Sequence, residues 1–334
     1  MPASRFPVIA CVGMGRMGRG IAHAFAYAGH EVRLIDAKPR DSEARQRLFT
    51  AARAEIRGTL ESIAGLGGFD AAAIDGILAR VALYPHDEAG QALKGVRFIF
   101  EAVPETEEAK RAALAAIHRD ADREAIVAST TSTFLSTQLS DLSGRPRRFL
   151  NAHWLNPAFI VPLIELSPAR ETERAVVEEF KALLTSIGKV PVECAASPGY
   201  IVPRIQALAM NEAARLVEEG VATAEDIDKA VKYGFGFRFA VLGLLEFIDW
   251  GGGDILYYAS RYMADAMDDK RFEAPKIVHD NMAAGRNGLR DGKGFYNYGG
   301  MDVPAYRRER LAAFLRALNE AGLARPPVSP DKSP

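Results

Sequence analysis

Six residues near the amino terminus restrict the fold more than any other feature of the chain. Gly13-Met14-Gly15-Arg16-Met17-Gly18 follows the apolar run Pro7–Val12 and opens a stretch with apolar residues at Met17, Ile21, Phe25 and Ala28, ending at Gly29. Strand, glycine turn and helix in that order make the phosphate-binding turn of a βαβ unit. Gly13 permits the tight turn, Gly15 lets the backbone approach a pyrophosphate, and Gly18 lets helix and strand pack closely. The first helical turn, with Arg16 and Met17, offers free N–H groups and positive partial charge to an anion.

A glycine-rich turn can be purely structural, so the context decides. Asp36 stands at the end of the second β-rich run, eighteen residues past Gly18. An acidic side chain there accepts hydrogen bonds from the adenine ribose hydroxyls and repels a 2′-phosphate, so NAD is expected rather than NADP. Lys38 and Arg40 nearby are the features that would tolerate NADP.

The first two hundred residues alternate β-rich runs with helical stretches. Pro7–Val12, Glu31–Ile35, Val96–Val103, Ala125–Ala128, Phe149–His153, Leu163–Leu166 and Val190–Glu193 read as strands, which argues for a mostly parallel sheet covered by helices, an α/β Rossmann domain. From Ser197 strand signals fade, while Ile205–Glu219 and Ala224–Lys232 carry apolar residues at helical spacing, the second behind the cap-like Thr223-Ala-Glu-Asp226. We therefore expect a Rossmann domain over 1–196, an all-α domain over 197–325, and a disordered Pro-rich tail over 326–334.

With Lys+Arg 42 against Asp+Glu 43 there is no global field to draw the chain to nucleic acid or an anionic membrane. Cys11 and Cys194 are too few for a disulfide framework and too far apart for a zinc pattern, so no metal is expected and a cytoplasmic compartment fits best. Phe239–Ile248, the most apolar later segment, is too short to span a bilayer and contains Glu246, so it reads as a buried helix. The amino terminus shows no signal-peptide pattern.

Of six histidines, His30, His86, His118 and His279 have bland settings, and His23 belongs to the glycine-turn helix, where packing explains it. His153 differs. It ends the run Phe149–His153, and twelve residues later Glu165 sits inside the apolar Leu163-Ile-Glu-Leu166. An ionisable residue in such a strand needs a partner. If the Asn156–Pro162 segment turns the chain back, Glu165 reaches one imidazole nitrogen, fixes the tautomer and raises the basicity of the other, as a general base requires. A histidine satisfied at a strand end with a glutamate facing solvent is the alternative.

Taken together, GMGRMG with Asp36, Glu101-Ala-Val-Pro-Glu105, Ala128-Ser-Thr-Thr-Ser132, His153-Trp-Leu-Asn156-Pro157, Glu165, Ser197-Pro-Gly-Tyr-Ile-Val and Gly292-Lys-Gly-Phe-Tyr-Asn-Tyr298 give the chain its likeness: it resembles the short, two-domain L-3-hydroxyacyl-CoA dehydrogenase family over nearly its whole length. The resemblance implies a Rossmann domain followed by an all-helical dimerisation domain, and hence a homodimer. It implies His153 as base, Glu165 as its orienting partner, and Ser132 and Asn156 at the reacting end of the substrate. Ala102, Val103, Thr130, Glu105 and Lys110 would join the glycine turn in binding NAD, the last two beside the nicotinamide-side ribose. The implied reaction is reversible NAD-dependent oxidation of a short 3-hydroxyacyl-CoA, the 3-hydroxybutyryl-CoA type, a step of fatty acid metabolism.

The chain departs from that pattern in four places. Pro203 stands where the family has an asparagine near the base, Thr130 where it has another asparagine, and no lysine occurs between Lys38 and Lys94, where a basic side chain meets the CoA moiety; Arg53, Arg57 and Arg80 are candidate substitutes. Gly234-Phe-Gly-Phe-Arg238-Phe resembles branches acting on free hydroxy acids, such as carnitine and gulonate dehydrogenases, and makes Arg238 a candidate carboxylate clamp. Two rival readings follow: the same chemistry on a free hydroxy carboxylate held by Arg238, and a crystallin-like dinucleotide-binding protein without catalysis.

Overall fold

The structure is a computed structural model and describes residues 6–325; the tail expected over 326–334 lies outside the described residues. The chain divides into two compact units between Ala209 and Met210, a point inside the helix Val202–Glu218.

The first unit is built on one eight-stranded sheet: β1 (Ile9–Val12), β2 (Val32–Ile35), β3 (Val81–Tyr84), β4 (Phe98–Glu101), β5 (Ile126–Ser129), β6 (Phe149–Trp154), β7 (Leu163–Pro168) and β8 (Val190–Glu193). Their order is β3-β2-β1-β4-β5-β6-β7-β8. All neighbours pair in parallel except β6 and β7, which are antiparallel. This is the mostly parallel Rossmann sheet expected from the alternation of runs.

Along β1 the side chains alternate between two buried layers, Ile9 and Cys11 joining Phe25, Phe100 and Trp154 on one face, Ala10 and Val12 joining Ile99, Leu114 and Phe149 on the other. Both faces being covered, the strands read as continuous apolar runs rather than as alternating ones. β3 was not foreseen: Val-Ala-Leu-Tyr lies at the sheet edge, and its Ala82 is exposed and its Leu83 and Tyr84 only half buried, so its apolar signal is weak.

Helix α1 (Arg16–Tyr27) starts from Gly15, which offers no side-chain cap, and ends before Gly29, whose φ of 97° suits glycine. Helix α2 (Ser42–Gly65) is capped by Asp41 accepting from Ala44 N. The sheet order reverses between β1 and β4, and at such a switch point the strands' carboxyl ends splay around a crevice.

The second unit is helical, as expected. Thr223 caps Ala224–Ala230 by accepting from Asp226 N, and a wider π-type turn, Val231–Gly236, follows. The expected buried helix over Phe239–Ile248 is corrected: a turn intervenes and the helix spans Leu244–Gly251, with Glu246 accepting from Gly243 N at its start and most of its residues only half buried. The loop Gly292–Tyr298 wraps the buried Asp249, which accepts from Phe295 N (3.0 Å), Tyr296 N (2.8 Å) and the Tyr298 hydroxyl (3.1 Å). A Cβ at Gly294 would collide with that carboxylate. Among the described residues no helix is long and apolar enough to cross a membrane.

Candidate active site

The crevice at the switch point holds a cavity of about 710 Å³ lined by Gly13–Met17, Asp36, Ala102–Glu105, Thr130 and Ser132. Two of the three glycines are sterically required and the third faces open space. A Cβ at Gly13, whose φ is 118°, would overlap the Ala102 carbonyl, and one at Gly18 would overlap the Gly13 carbonyl. A Cβ at Gly15 meets nothing within 4 Å, so that backbone is open to the cavity, where the uncapped first turn of α1 suits a pyrophosphate. Asp36 is buried at the end of β2, takes Lys38 N at 3.1 Å and pairs with Arg40 Nε at 2.6 Å. These residues fit a dinucleotide: a cradle free of side chains for its phosphates and a fixed carboxylate for its ribose.

Below the cavity lies an ionic cluster. Lys110 is wholly buried, with Nζ 3.2 Å from Glu101 Oε2 and 3.1 Å from Glu105 Oε2. Glu101, also fully buried, accepts from Val103 N and the Ser129 hydroxyl. The other Glu105 oxygen, Oε1, accepts from Ser132 N and Thr133 N, both at 2.9 Å, and from the hydroxyls of Thr131 and Thr133. Burial works to raise the Glu105 pKa, but the threonine hydrogen bonds and the Lys110 charge outweigh it and hold the group at about 2. Glu105 lines the cavity; Lys110 does not, and touches it only through Glu105.

His153 and Glu165 occupy directly opposed positions of the antiparallel β6–β7 pair. Both are buried, and His153 Nδ1 lies 2.8 Å from Glu165 Oε2. The second carboxylate oxygen accepts from Ile201 N (2.9 Å) and Val202 N (2.8 Å), where the helix Val202–Glu218 begins. With Nδ1 engaged, Nε2 is the ring nitrogen left to exchange a proton. Of the expected site residues the structure brings these two into contact and gathers Ser132, Glu105 and Thr130 at the cavity rim. Asn156 is exposed and lines a smaller hollow of about 160 Å³ with Ala158, Phe159 and Thr59, bordered by Arg16 and Arg19, which also line the larger cavity. Pro203 sits in the first turn of its helix, where a missing N–H is harmless.

Arg238, in the second unit, donates from Nε to the Gly234 carbonyl at 3.0 Å and lies over the Phe247 ring at 4.9 Å. Of the proposed lysine substitutes, Arg57 pairs with Asp75 at 2.6 Å and Arg80 donates to the Ala26 carbonyl.

Three participants escaped the sequence reading. Glu101 was quoted only as part of a motif, Asn151 was read as strand, and Tyr200, quoted within Ser197–Val202, proves to stack on His153 with ring centroids 4.8 Å apart and planes 8° apart. The partners of Tyr200 and Asn151 lie up to 69 residues away along the chain, as for Tyr200 and Thr131, so no local signal reveals those two; Glu101, a carboxylate within an apolar strand, did carry one.

Residues 8–197 match the 3-hydroxyacyl-CoA dehydrogenase NAD-binding domain, and residues 199–298 match the family's C-terminal domain. A 3-hydroxybutyryl-CoA dehydrogenase of Mycobacterium tuberculosis is 31% identical over 294 residues, covering 87% of this chain and 98% of that one. A 5-formyl-3-hydroxy-2-methylpyridine 4-carboxylate 5-dehydrogenase of Mesorhizobium japonicum is 29% identical over 305 residues, covering 90% and 94%. The solved 3-hydroxyacyl-CoA dehydrogenase of Archaeoglobus fulgidus superposes with a TM-score of 0.75 at 29% identity, covering 96% of this chain and all of that one. With a dinucleotide crevice, a paired histidine and both domains matched, the chain belongs to the NAD-dependent 3-hydroxyacyl-CoA dehydrogenase family of oxidoreductases acting on CH–OH groups.

Proposed function

We propose that this dehydrogenase reversibly oxidises the 3-hydroxyl of short L-3-hydroxyacyl-CoA thioesters, with His153 as general base and Glu165 as the group that orients it. The observation that carries this reading is the 2.8 Å bond between His153 Nδ1 and Glu165 Oε2 within a buried strand pair. The 3-hydroxybutyryl-CoA relative supports the thioester substrate.

NAD, when bound, supplies the two-electron acceptor. Gly13–Gly18 would hold its phosphates, Asp36 its adenine-side ribose, and Ala102, Val103, Thr130 and Glu105 its nicotinamide side, Glu105 being steadied from below by Lys110. His153 Nε2 takes the hydroxyl proton, and the resulting imidazolium is held by Glu165 through Nδ1–H. Glu165 cannot swing away, because its other oxygen is fastened to Ile201 N and Val202 N. Ser132 and Asn156 would hold the substrate oxygen as it becomes a carbonyl, Ser132 being placed by its own N–H on Glu105.

A second reading is favoured by the pyridine-carboxylate relative: the same chemistry on a free hydroxy carboxylate. The internal engagement of Arg238 with Gly234 and Phe247 gives that residue a packing role as well as the proposed clamp. Steady-state rates with acetoacetyl-CoA and NADH, set against free 3-hydroxy and aromatic hydroxy acids with NAD, separate the readings. Efficient thioester reduction is expected, and negligible thioester turnover beside brisk oxidation of a free acid would overturn the first. NADH binding without turnover of either class would instead indicate a non-catalytic protein.

The working form proposed is a cytoplasmic homodimer assembled through the helical unit. Supporting it, that unit exposes the large apolar side chains Met210 (67%), Ile255 (62%), Tyr258 (57%) and Tyr262 (73%), which a subunit interface would cover. Light scattering that returned a mass near 36.3 kDa, the mass of one chain, would exclude the dimer.

A further inference from the structure

We propose that Tyr200 is a positioning residue of the dehydrogenase reaction: its ring sets the plane of the His153 imidazole, and its hydroxyl locks that plane to the loop carrying Ser132. The inference rests on the reading of His153 as the base.

Three independent contacts meet in this one side chain. The rings of Tyr200 and His153 are stacked, 4.8 Å apart and 8° from parallel. The Tyr200 hydroxyl donates to the Thr131 carbonyl at 2.9 Å and accepts from Asn151 Nδ2 at 3.0 Å. Asn151 is itself fixed, its Nδ2 also donating to the Phe134 carbonyl at 2.9 Å. The phenol is therefore anchored at its far end to both flanks of the Ser132 segment, while its near face covers the imidazole.

A simple core aromatic would need none of this. Tyr200 has a φ of 46°, one of two non-glycine residues among those described with a left-handed backbone. A bulky residue rarely adopts that conformation, and it persists only where surrounding contacts impose it. What imposes it here is the site: the two N–H groups that follow, Ile201 and Val202, are the donors to Glu165. One turn thus delivers a ring to the base, two donors to the base's partner and a hydroxyl to the substrate loop. Burial pushes the phenol pKa up, against the Asn151 bond, so the hydroxyl stays a donor throughout the working pH range.

The bond from Glu165 holds the ring only at Nδ1; a face-on neighbour also fixes the tilt of its plane. Misaligning Nε2 by a small angle costs rate without costing cofactor binding, because nothing in the stack touches the dinucleotide cavity.

The test compares wild type, Tyr200→Phe, Tyr200→Leu and His153→Gln in acetoacetyl-CoA reduction, with NADH affinity measured by fluorescence titration. Tyr200→Leu is expected to lose about 100-fold in kcat with NADH affinity unchanged. Tyr200→Phe, which keeps the ring, should recover to within about tenfold of wild type, its remaining deficit lying in the KM for the acyl substrate through the loosened Ser132 loop. Wild-type kcat in Tyr200→Leu overturns the proposal, as do equal losses in both Tyr200 variants accompanied by weakened NADH binding, which would mark a merely structural role. Full turnover by His153→Gln overturns the base assignment instead, independently of the Tyr200 result.

Discussion

His153 and Glu165 face each other across an antiparallel strand pair, so their contact is set by strand register and not by side-chain reach. A slip of one residue would send the two side chains to opposite faces of the sheet.

That relationship makes Glu165→Gln informative. The backbone donors at Ile201 and Val202 claim the amide oxygen, which turns the amide NH2 toward His153 Nδ1. Nδ1 must then accept, the proton moves to Nε2, and the base is lost to the wrong tautomer. We expect kcat to fall by about 10³-fold or more with little change in NADH affinity. Loss of the folded state in circular dichroism, rather than of turnover alone, would contradict it.

Lys110→Met should act on stability first. The substitution leaves the buried Glu101 and the exposed Glu105 without their shared cation. Removing one partner of such a cluster costs about 3–5 kcal/mol. Urea unfolding should show that loss, and NADH affinity should fall with it as Glu105 loosens. Unaltered unfolding would mean the cluster contributes nothing net.

Acid sensitivity is expected in two windows. Burial, and secondarily the Lys189 charge, lower the His23 pKa to about 4, while the unfolded chain keeps the ordinary 6.5. As pH falls through 6.5 toward 4 the unfolded state takes up a proton that the folded state resists, so stability declines there by up to about 3 kcal/mol. His23→Phe, which can keep the stack on Phe159, should flatten melting temperature against pH over that interval. Glu105 acts lower: its stabilisation is complete above its ordinary value of 4.5 and is lost as pH falls toward about 2. An unchanged slope in His23→Phe between pH 6.5 and 4 would refute the first window.

Asp249→Asn replaces an acceptor of three hydrogen bonds with a group that turns an NH2 toward one of its donors. A cost of about 2–3 kcal/mol is expected, read as a lower melting temperature, while kcat of the folded enzyme stays near wild type. A large kcat defect at unchanged stability would place Asp249 in the chemistry instead.

Much of the first unit was legible from residues because a Rossmann turn is a local object: strand, glycines and helix lie within about twenty positions, and Gly13 and Gly18 have the steric reasons read from the sequence, while the space beside Gly15 is open. β3 was missed because an edge strand of four residues, half buried, has no apolar contrast. Phe239–Ile248 was misjudged because apolar content was weighed above Gly243, which breaks the segment. The His153–Glu165 contact could be suspected from an ionisable residue inside an apolar strand, but its register waited on the turn between them. Glu101 carries the same signal, an ionisable residue in an apolar strand, and was passed over, whereas Tyr200 and Asn151 could not be found, since their roles arise from partners that only the folded sheet brings near.

The loop around Asp249 alters how likeness in the second unit should be weighed. Gly292–Tyr298 looks as distinctive as the residues around the imidazole, yet what it secures is the shape of a helical lobe. A lesion at Gly294 would change how many copies of the enzyme a cell keeps, through proteolysis of the opened form, and leave the speed of each surviving copy untouched.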